Sequence, residues 1–176
     1  MTDQVLAEIE VPTAAQMRSL GRRLAPLLRP GDLVVMTGPL GAGKTTLVQG
    51  LGEGLGVRGP VTSPTFVIAR VHPSDHSGPA LVHADAYRLG SRAEVNDLDL
   101  DADLDSSVTV VEWGEGLVED LADSHLAIEI TIVGAPASGP GEADEARAVR
   151  LVGRGDRWQS AAASAGLALS AGPAAP

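Results

Sequence analysis

The stretch Gly38-Pro39-Leu40-Gly41-Ala42-Gly43-Lys44-Thr45-Thr46 follows the apolar run Leu33-Val34-Val35-Met36, and its reading decides the fold. It matches G-x-x-x-x-G-K-[ST], a phosphate-binding loop joining a buried strand to a helix. Glycines let successive backbone N–H groups curl around phosphate oxygens, and the helix N-terminus adds partial positive charge. Gly38, Leu40, Gly41, Ala42, Gly43, Lys44, Thr45 and Thr46 are the expected nucleotide-cradling positions. Lys44 reaches for the β- and γ-phosphates, and the Thr45 hydroxyl for Mg²⁺. Lys44 is the only lysine, in a chain of 176 residues with 21 Gly and 21 Ser or Thr. The three flanking matches around that lysine would coincide by chance with a probability of roughly 0.002.

The segments around the loop spell an α/β chain. Upstream, Val5, Ala7, Ile9 and Val11 alternate as a half-buried strand. Thr13 can cap a helix whose Met17, Leu20, Leu24, Leu27 and Leu28 form one stripe, and Arg29-Pro30-Gly31-Asp32 turns the chain into the strand before the loop. Downstream, a helix is expected from Lys44 to Leu55, closed by Gly56. Strands are expected at Phe66–Val71, Ala80–Ala84, Val108–Val111, Leu126–Val133 and Ala148–Val152, with short helices at Glu94–Leu98 and Glu115–Leu121. This alternation predicts a P-loop NTPase-like fold, with a mixed, mainly parallel sheet flanked by helices. One P-loop ATPase domain over residues 1–155 is expected. Residues 156–176, rich in small side chains, are expected to be a low-complexity tail, frayed or disordered.

Composition narrows the function. With no cysteine, a disulfide scaffold, a Cys-ligated zinc site and a thiol nucleophile are excluded. A net charge of −10 opposes broad phosphate-backbone binding, and four aromatic residues are too few for a stacking platform. Acids within Met1–Glu10 argue against a signal peptide, and no run approaches the length of a membrane span. The expected setting is cytoplasmic.

A P-loop site needs an acid at the end of a neighbouring strand to hold Mg²⁺ or its water. Asp85 and Glu112 each end an apolar run, and parallel strands would bring both near the loop. One can hold the metal while the other orients the attacking water. An Asn-Lys-x-Asp guanine motif cannot exist when the only lysine is Lys44, so ATP/ADP is the expected nucleotide. The absence of Leu-Ser-Gly-Gly-Gln removes transporter-type ATPases.

Gly41–Thr46, Ser63-Pro64-Thr65-Phe66, His83-Ala84-Asp85-Ala86-Tyr87-Arg88-Leu89 and Val111-Glu112-Trp113 occur in this order over roughly Val11 to Val152. Together they resemble TsaE (formerly YjeE), the small bacterial ATPase family of tRNA threonylcarbamoyladenosine synthesis. The resemblance implies Mg²⁺ held by Thr45 and Glu112, a role for Asp85 in ATPase function, and a switch-like Ser63-Pro64-Thr65 segment near the γ-phosphate. It also implies that Thr13 lies near the base. It further implies weak Mg²⁺-dependent ATPase activity, and action with TsaB and TsaD in modifying adenosine 37 of tRNA. Pro39 stands where the family usually has Asp, removing a carboxylate beside the phosphates. Ala84 and Ala86 stand where bulkier apolar residues are usual.

Other features carry plainer readings. Trp113 is either a core ring or a lining of the site, and Arg88 either a surface ion-pair partner or a contact to phosphate or protein. His83 reads as a packed core histidine. His72, Asp75 and His76 read as a loop without fixed metal geometry. The acidic run Glu94, Asp97, Asp99, Asp101, Asp103 and Asp105 lacks the glycine and terminal Glu of a calcium loop and reads as a solvated or partner-facing element. Arg147 and Arg150 are candidates to approach the nucleotide. The alternatives to an ATPase are a small-molecule or nucleoside kinase and a nucleotide-gated scaffold.

Overall fold

The computed structural model describes residues 3–64, 68–75, 77–89, 91–96, 100, 103–133 and 146–159. The chain runs through β1 (Asp3–Val11), α1 (Ala14–Leu24), β2 (Leu33–Thr37), α2 (Lys44–Leu55), β3 (Ala69–His72), β4 (Ala80–Asp85) and α3 (Arg92–Asn96). It continues through β5 (Ser107–Glu112), β6 (His125–Val133) and β7 (Ala146–Arg154). All seven strands form one mixed sheet in the order β1-β7-β6-β2-β5-β4-β3. Its four central strands, β6, β2, β5 and β4, are parallel, whereas β1, β7 and β3 join antiparallel.

Strand β2 has no polar face, and its place explains why. Val34 and Met36 enter the core shared with Leu20, Leu47 and Leu51, while Leu33 and Val35 enter the opposite core with Val82, Val95 and Val111. A parallel strand covered on both sides reads as a nearly continuous apolar run. Thr13 caps α1, its hydroxyl accepting the Gln16 N–H at 3.2 Å. The predicted stripe buries Met17, Leu20 and Leu24. Helix α1 lies so close to α2 that a Cβ at Gly50 would stand 2.0 Å from the Arg18 carbonyl oxygen. Glycine is therefore the residue that lets the two backbones meet.

Four expectations are corrected. The expected strand Phe66–Val71 is β3, Ala69–His72; Thr65 and Phe66 lie outside the described residues. Helix α3 begins at Arg92 rather than Glu94. Glu115–Leu121 is not a helix: Gly116 takes φ +77°, the Leu117 and Val118 N–H groups turn back onto the Gly114 carbonyl, and a single 3-10 turn follows at Glu119–Leu121. The tail does not begin at 156. Residues 156–159 are helical, and Trp158, 1% exposed, packs on Gly153. A lone Trp in small-residue sequence shows no periodicity, so its burial was not visible in the pattern. Residues 160–176, most of the predicted tail, lie outside the described residues, as do Asp97, Asp99 and Asp101 of the acidic run. No described helix is long and apolar enough to cross a membrane.

Candidate functional site

Parallel register assembles the site. Met36, the last residue but one of β2, is paired with Glu112, and Glu112 is paired in turn with Asp85. Both acids thus stand level with the end of the strand that feeds the loop. Gly38 leaves β2 at φ +148°, where a Cβ would meet the Ile130 carbonyl oxygen at 2.6 Å. Gly43, at φ +99°, starts α2, which no side chain caps. The first-turn N–H groups of an α-helix lack intrahelical partners, so they face the loop as donors.

A cavity of about 540 Å³ opens over this loop, a volume within the usual range for small-molecule sites. Leu40, Gly41, Gly43, Lys44, Thr45 and Thr46 form its floor. Asp85, Tyr87, Arg88, Glu112 and Trp113 form one wall, with Ser63, Pro64 and Ile68 completing the lining. Lys44, Thr45, Asp85, Glu112 and Trp113 are therefore together. Thr13 and Gly38 do not line the cavity, and the Ala42 side chain is buried in the core.

Lys44 Nζ donates to the Gly38 and Pro39 carbonyl oxygens at 2.7 and 3.0 Å, and lies 3.9 Å from the centre of the Trp113 ring. Burial pulls its pKa below the ordinary 10.5, and the Glu112 and Asp85 carboxylates pull it back up. Trp113 reaches this position through a left-handed backbone turn at φ +60°, the only such non-glycine residue among those described. Its N–H donates to the Met36 carbonyl at 2.9 Å, and its ring tilts against Tyr87 with centroids 5.1 Å apart. A bulky residue in that conformation costs about 1–2 kcal/mol.

The Thr45 hydroxyl donates to Glu112 Oε1 at 3.0 Å. A buried carboxylate and a hydroxyl are hard oxygen donors. Mg²⁺ characteristically takes one or two such protein ligands and completes its shell with phosphate and water. Among the described residues no group of three His, Cys, Asp or Glu side chains could hold a metal ion. Asp85 Oδ1 accepts the Tyr87 N–H at 3.0 Å, fixing the carboxylate at the cavity wall.

One partner in the site was missed. His83 is fully buried, and its Nε2 stands 2.8 Å from Glu112 Oε1. Its spacing of two from Asp85 on a strand was the available signal, because alternate residues share a face. Of the two late arginines, Arg147 Nη2 donates to the Gly41 carbonyl at 3.3 Å, whereas Arg150 is engaged by Glu8 and Glu129 across the sheet. The His72–Asp75–His76 loop starts later than expected, since His72 is the last residue of β3. His72 is buried on β3, Asp75 pairs with Arg58 at 2.6 Å, and His76 lies outside the described residues.

A family model described as "Threonylcarbamoyl adenosine biosynthesis protein TsaE" matches residues 11–136. The chain is 63% identical over 147 residues to the tRNA threonylcarbamoyladenosine biosynthesis protein TsaE of Streptomyces coelicolor, covering 82% of this chain and 95% of that one. It is 34% identical over 145 residues to the protein of the same name from Bacillus subtilis, covering 82% and 84%. The crystal structure of B. subtilis YdiB superposes with a TM-score of 0.69 at 26% identity, over 94% of this chain and 96% of that one.

Proposed function

The chain belongs to the TsaE family of tRNA threonylcarbamoyladenosine biosynthesis proteins, and from that premise we propose that it binds and hydrolyses ATP as a subunit acting with TsaB and TsaD. The observation that carries the reading is the convergence of Lys44, Thr45, Asp85 and Glu112 in one cavity above a glycine-rich loop.

The chemistry is positioning and charge stabilisation, since phosphoryl transfer demands little covalent help from a protein. Phosphates enter against the first-turn N–H groups of α2. Lys44 exchanges its bonds to Gly38 and Pro39 for phosphate oxygens, which recover the charge–charge energy that carbonyls cannot supply. Thr45 and Glu112 would hold Mg²⁺, which would supply neutralisation of charge on the phosphates. Asp85, one strand further out, orients the attacking water by accepting its hydrogen bond. With all these groups lining one cavity, water attacks the γ-phosphorus, the bond from that phosphorus to the β–γ bridging oxygen breaks, and ADP and inorganic phosphate result. The cytoplasm, where tRNA and ATP meet, is the setting that follows.

A net charge of −10 opposes an extended tRNA footprint on this chain, so contact with the assembly is assigned to protein partners. The test is phosphate release from γ-labelled ATP by the chain alone and with TsaB and TsaD. Slow release that the partners accelerate, together with threonylcarbamoyl transfer to tRNA, is expected. Label appearing on a metabolite would support a kinase instead, and absence of both nucleotide binding and stimulation would overturn the reading.

A further inference from the structure

Strand β4 brings His83 to Glu112 along a diagonal. His83 is in register with Val110, two residues before Glu112 on β5, and its Nε2 lies 2.8 Å from Glu112 Oε1. The same oxygen receives the Thr45 hydroxyl from α2 at 3.0 Å. In the Nε2–H tautomer the imidazole donates to this oxygen. Two donors from two different elements thus meet on one oxygen, which fixes the rotation of the carboxyl group. Neither bond uses Oε2.

The other side of the imidazole sharpens the point. Nδ1 is buried with no hydrogen-bond partner among the described residues. A buried polar atom without a partner is unfavourable, and an aliphatic side chain would suit the neighbouring Leu81, Val108 and Val110 better. The bond to Glu112 is the interaction that offsets this cost.

We propose that His83 is a positioning residue which, through its bond to Glu112 Oε1, holds the Glu112 carboxylate in the orientation that receives a nucleotide-bound divalent cation. The inference rests on the reading of Thr45 and Glu112 as the cation-holding pair. Partners that orient metal ligands typically change metal affinity by about 10- to 100-fold when removed. Orientation of a ligand changes cation binding, whereas the loop's grip on phosphate does not depend on it.

Calorimetric titration with ADP, in EDTA and across a Mg²⁺ series, tests this in the intact chain. His83→Leu is expected to keep wild-type ADP affinity in EDTA and to need roughly 10- to 100-fold more Mg²⁺ for the same tightening. His83→Gln, whose amide nitrogen reaches the place of Nε2, should restore most of the response, and His83→Asn, which is too short, should not. If His83→Leu does not fold, the Gln and Asn pair decides. A Mg²⁺ response like wild type in Leu or Asn overturns the proposal. So does equal weakening of ADP binding in EDTA by Leu, Asn and Gln, which would mark a purely structural residue. Glu112→Gln separates the two layers. Loss of the Mg²⁺ response there with none in Leu or Asn overturns only the role of His83. No response in wild type, or a normal one in Glu112→Gln, overturns the cation reading and this inference with it.

Discussion

Arg157 clasps Asp32 with two parallel hydrogen bonds, Nε to Oδ1 at 3.0 Å and Nη2 to Oδ2 at 2.9 Å, across 125 positions of sequence. Nη2 also donates to the Leu27 carbonyl at 2.8 Å, and Asp32 accepts the Arg29 N–H at 2.9 Å. The pair ties the last described turn to the entry of β2, the strand that carries the phosphate loop. Removing Arg157 leaves the buried Asp32 carboxyl without its ion-pair partner, so Arg157→Ala should cost about 3–5 kcal/mol in urea unfolding, and Asp32→Ala, which strands a partly exposed guanidinium, should cost less. A chain ended after Gly155 also loses buried Trp158 and should unfold at markedly lower urea than either single variant.

Gly50→Ala should invert the usual helix rule. Alanine ordinarily favours a helix interior by about 1 kcal/mol over glycine. Here the added methyl group would stand 2.0 Å from the Arg18 carbonyl, a backbone atom that cannot swing away. Overpacking of this kind costs about 1–3 kcal/mol. Thermal unfolding should show a lowered midpoint. Because α2 begins at the loop, ADP affinity should weaken too; an unchanged midpoint would contradict the close packing.

Lys44→Ala should weaken ATP binding by roughly 100-fold, the loss expected for about 3 kcal/mol of charge-assisted hydrogen bonding. Retained micromolar binding in calorimetry would count against the loop assignment.

Trp113 should report the same event optically. Its ring lies 3.9 Å from Lys44 Nζ, so movement of the ammonium onto phosphate changes the indole's surroundings. Nucleotide should shift the tryptophan emission, and Trp113→Phe should abolish the shift even though Trp158 remains. A shift that survives the substitution would place the response elsewhere.

Stability should fall on mild acidification. His125 is buried on β6. Burial, and then the Arg154 charge, holds its pKa below the ordinary 6.5, with Glu119 and Asp3 opposing; His72 is lowered as well, chiefly by burial. Below pH 6.5 the unfolded chain takes up protons that these folded imidazoles refuse, so the unfolded state gains. The contribution is fully favourable above 6.5 and declines as pH drops toward the folded values. Urea midpoints should decrease from pH 7.5 to 5.5, with a shallower slope in His125→Leu; an equal slope would remove His125 as a cause.

The loop, its strand and its helix were legible because spacing and apolarity are local properties. Gly38 and Gly43 mark backbone conformations, and Leu33–Met36 marks a doubly covered strand, whatever the rest of the chain does. Asp85 and Glu112 were legible as acids at strand ends. Their standing side by side depended on β4 and β5 pairing in parallel register, which no local pattern encodes. Glu115–Leu121 misled because its composition suits a helix while Gly114 and Gly116 bend it into turns.

By itself, then, the sequence determined that a single lysine sits in a phosphate-binding loop between a buried strand and a helix, in a chain bearing four ordered TsaE-like motifs. Only the tertiary structure decided which partners surround it. Trp113 over Lys44, His83 on Glu112 and Arg157 on Asp32 join residues 69, 29 and 125 positions apart. Each contact depends on strand order and on packing at a distance. The intrinsic preferences of neighbouring residues carry no trace of either, because the energy that selects them belongs to the assembled core.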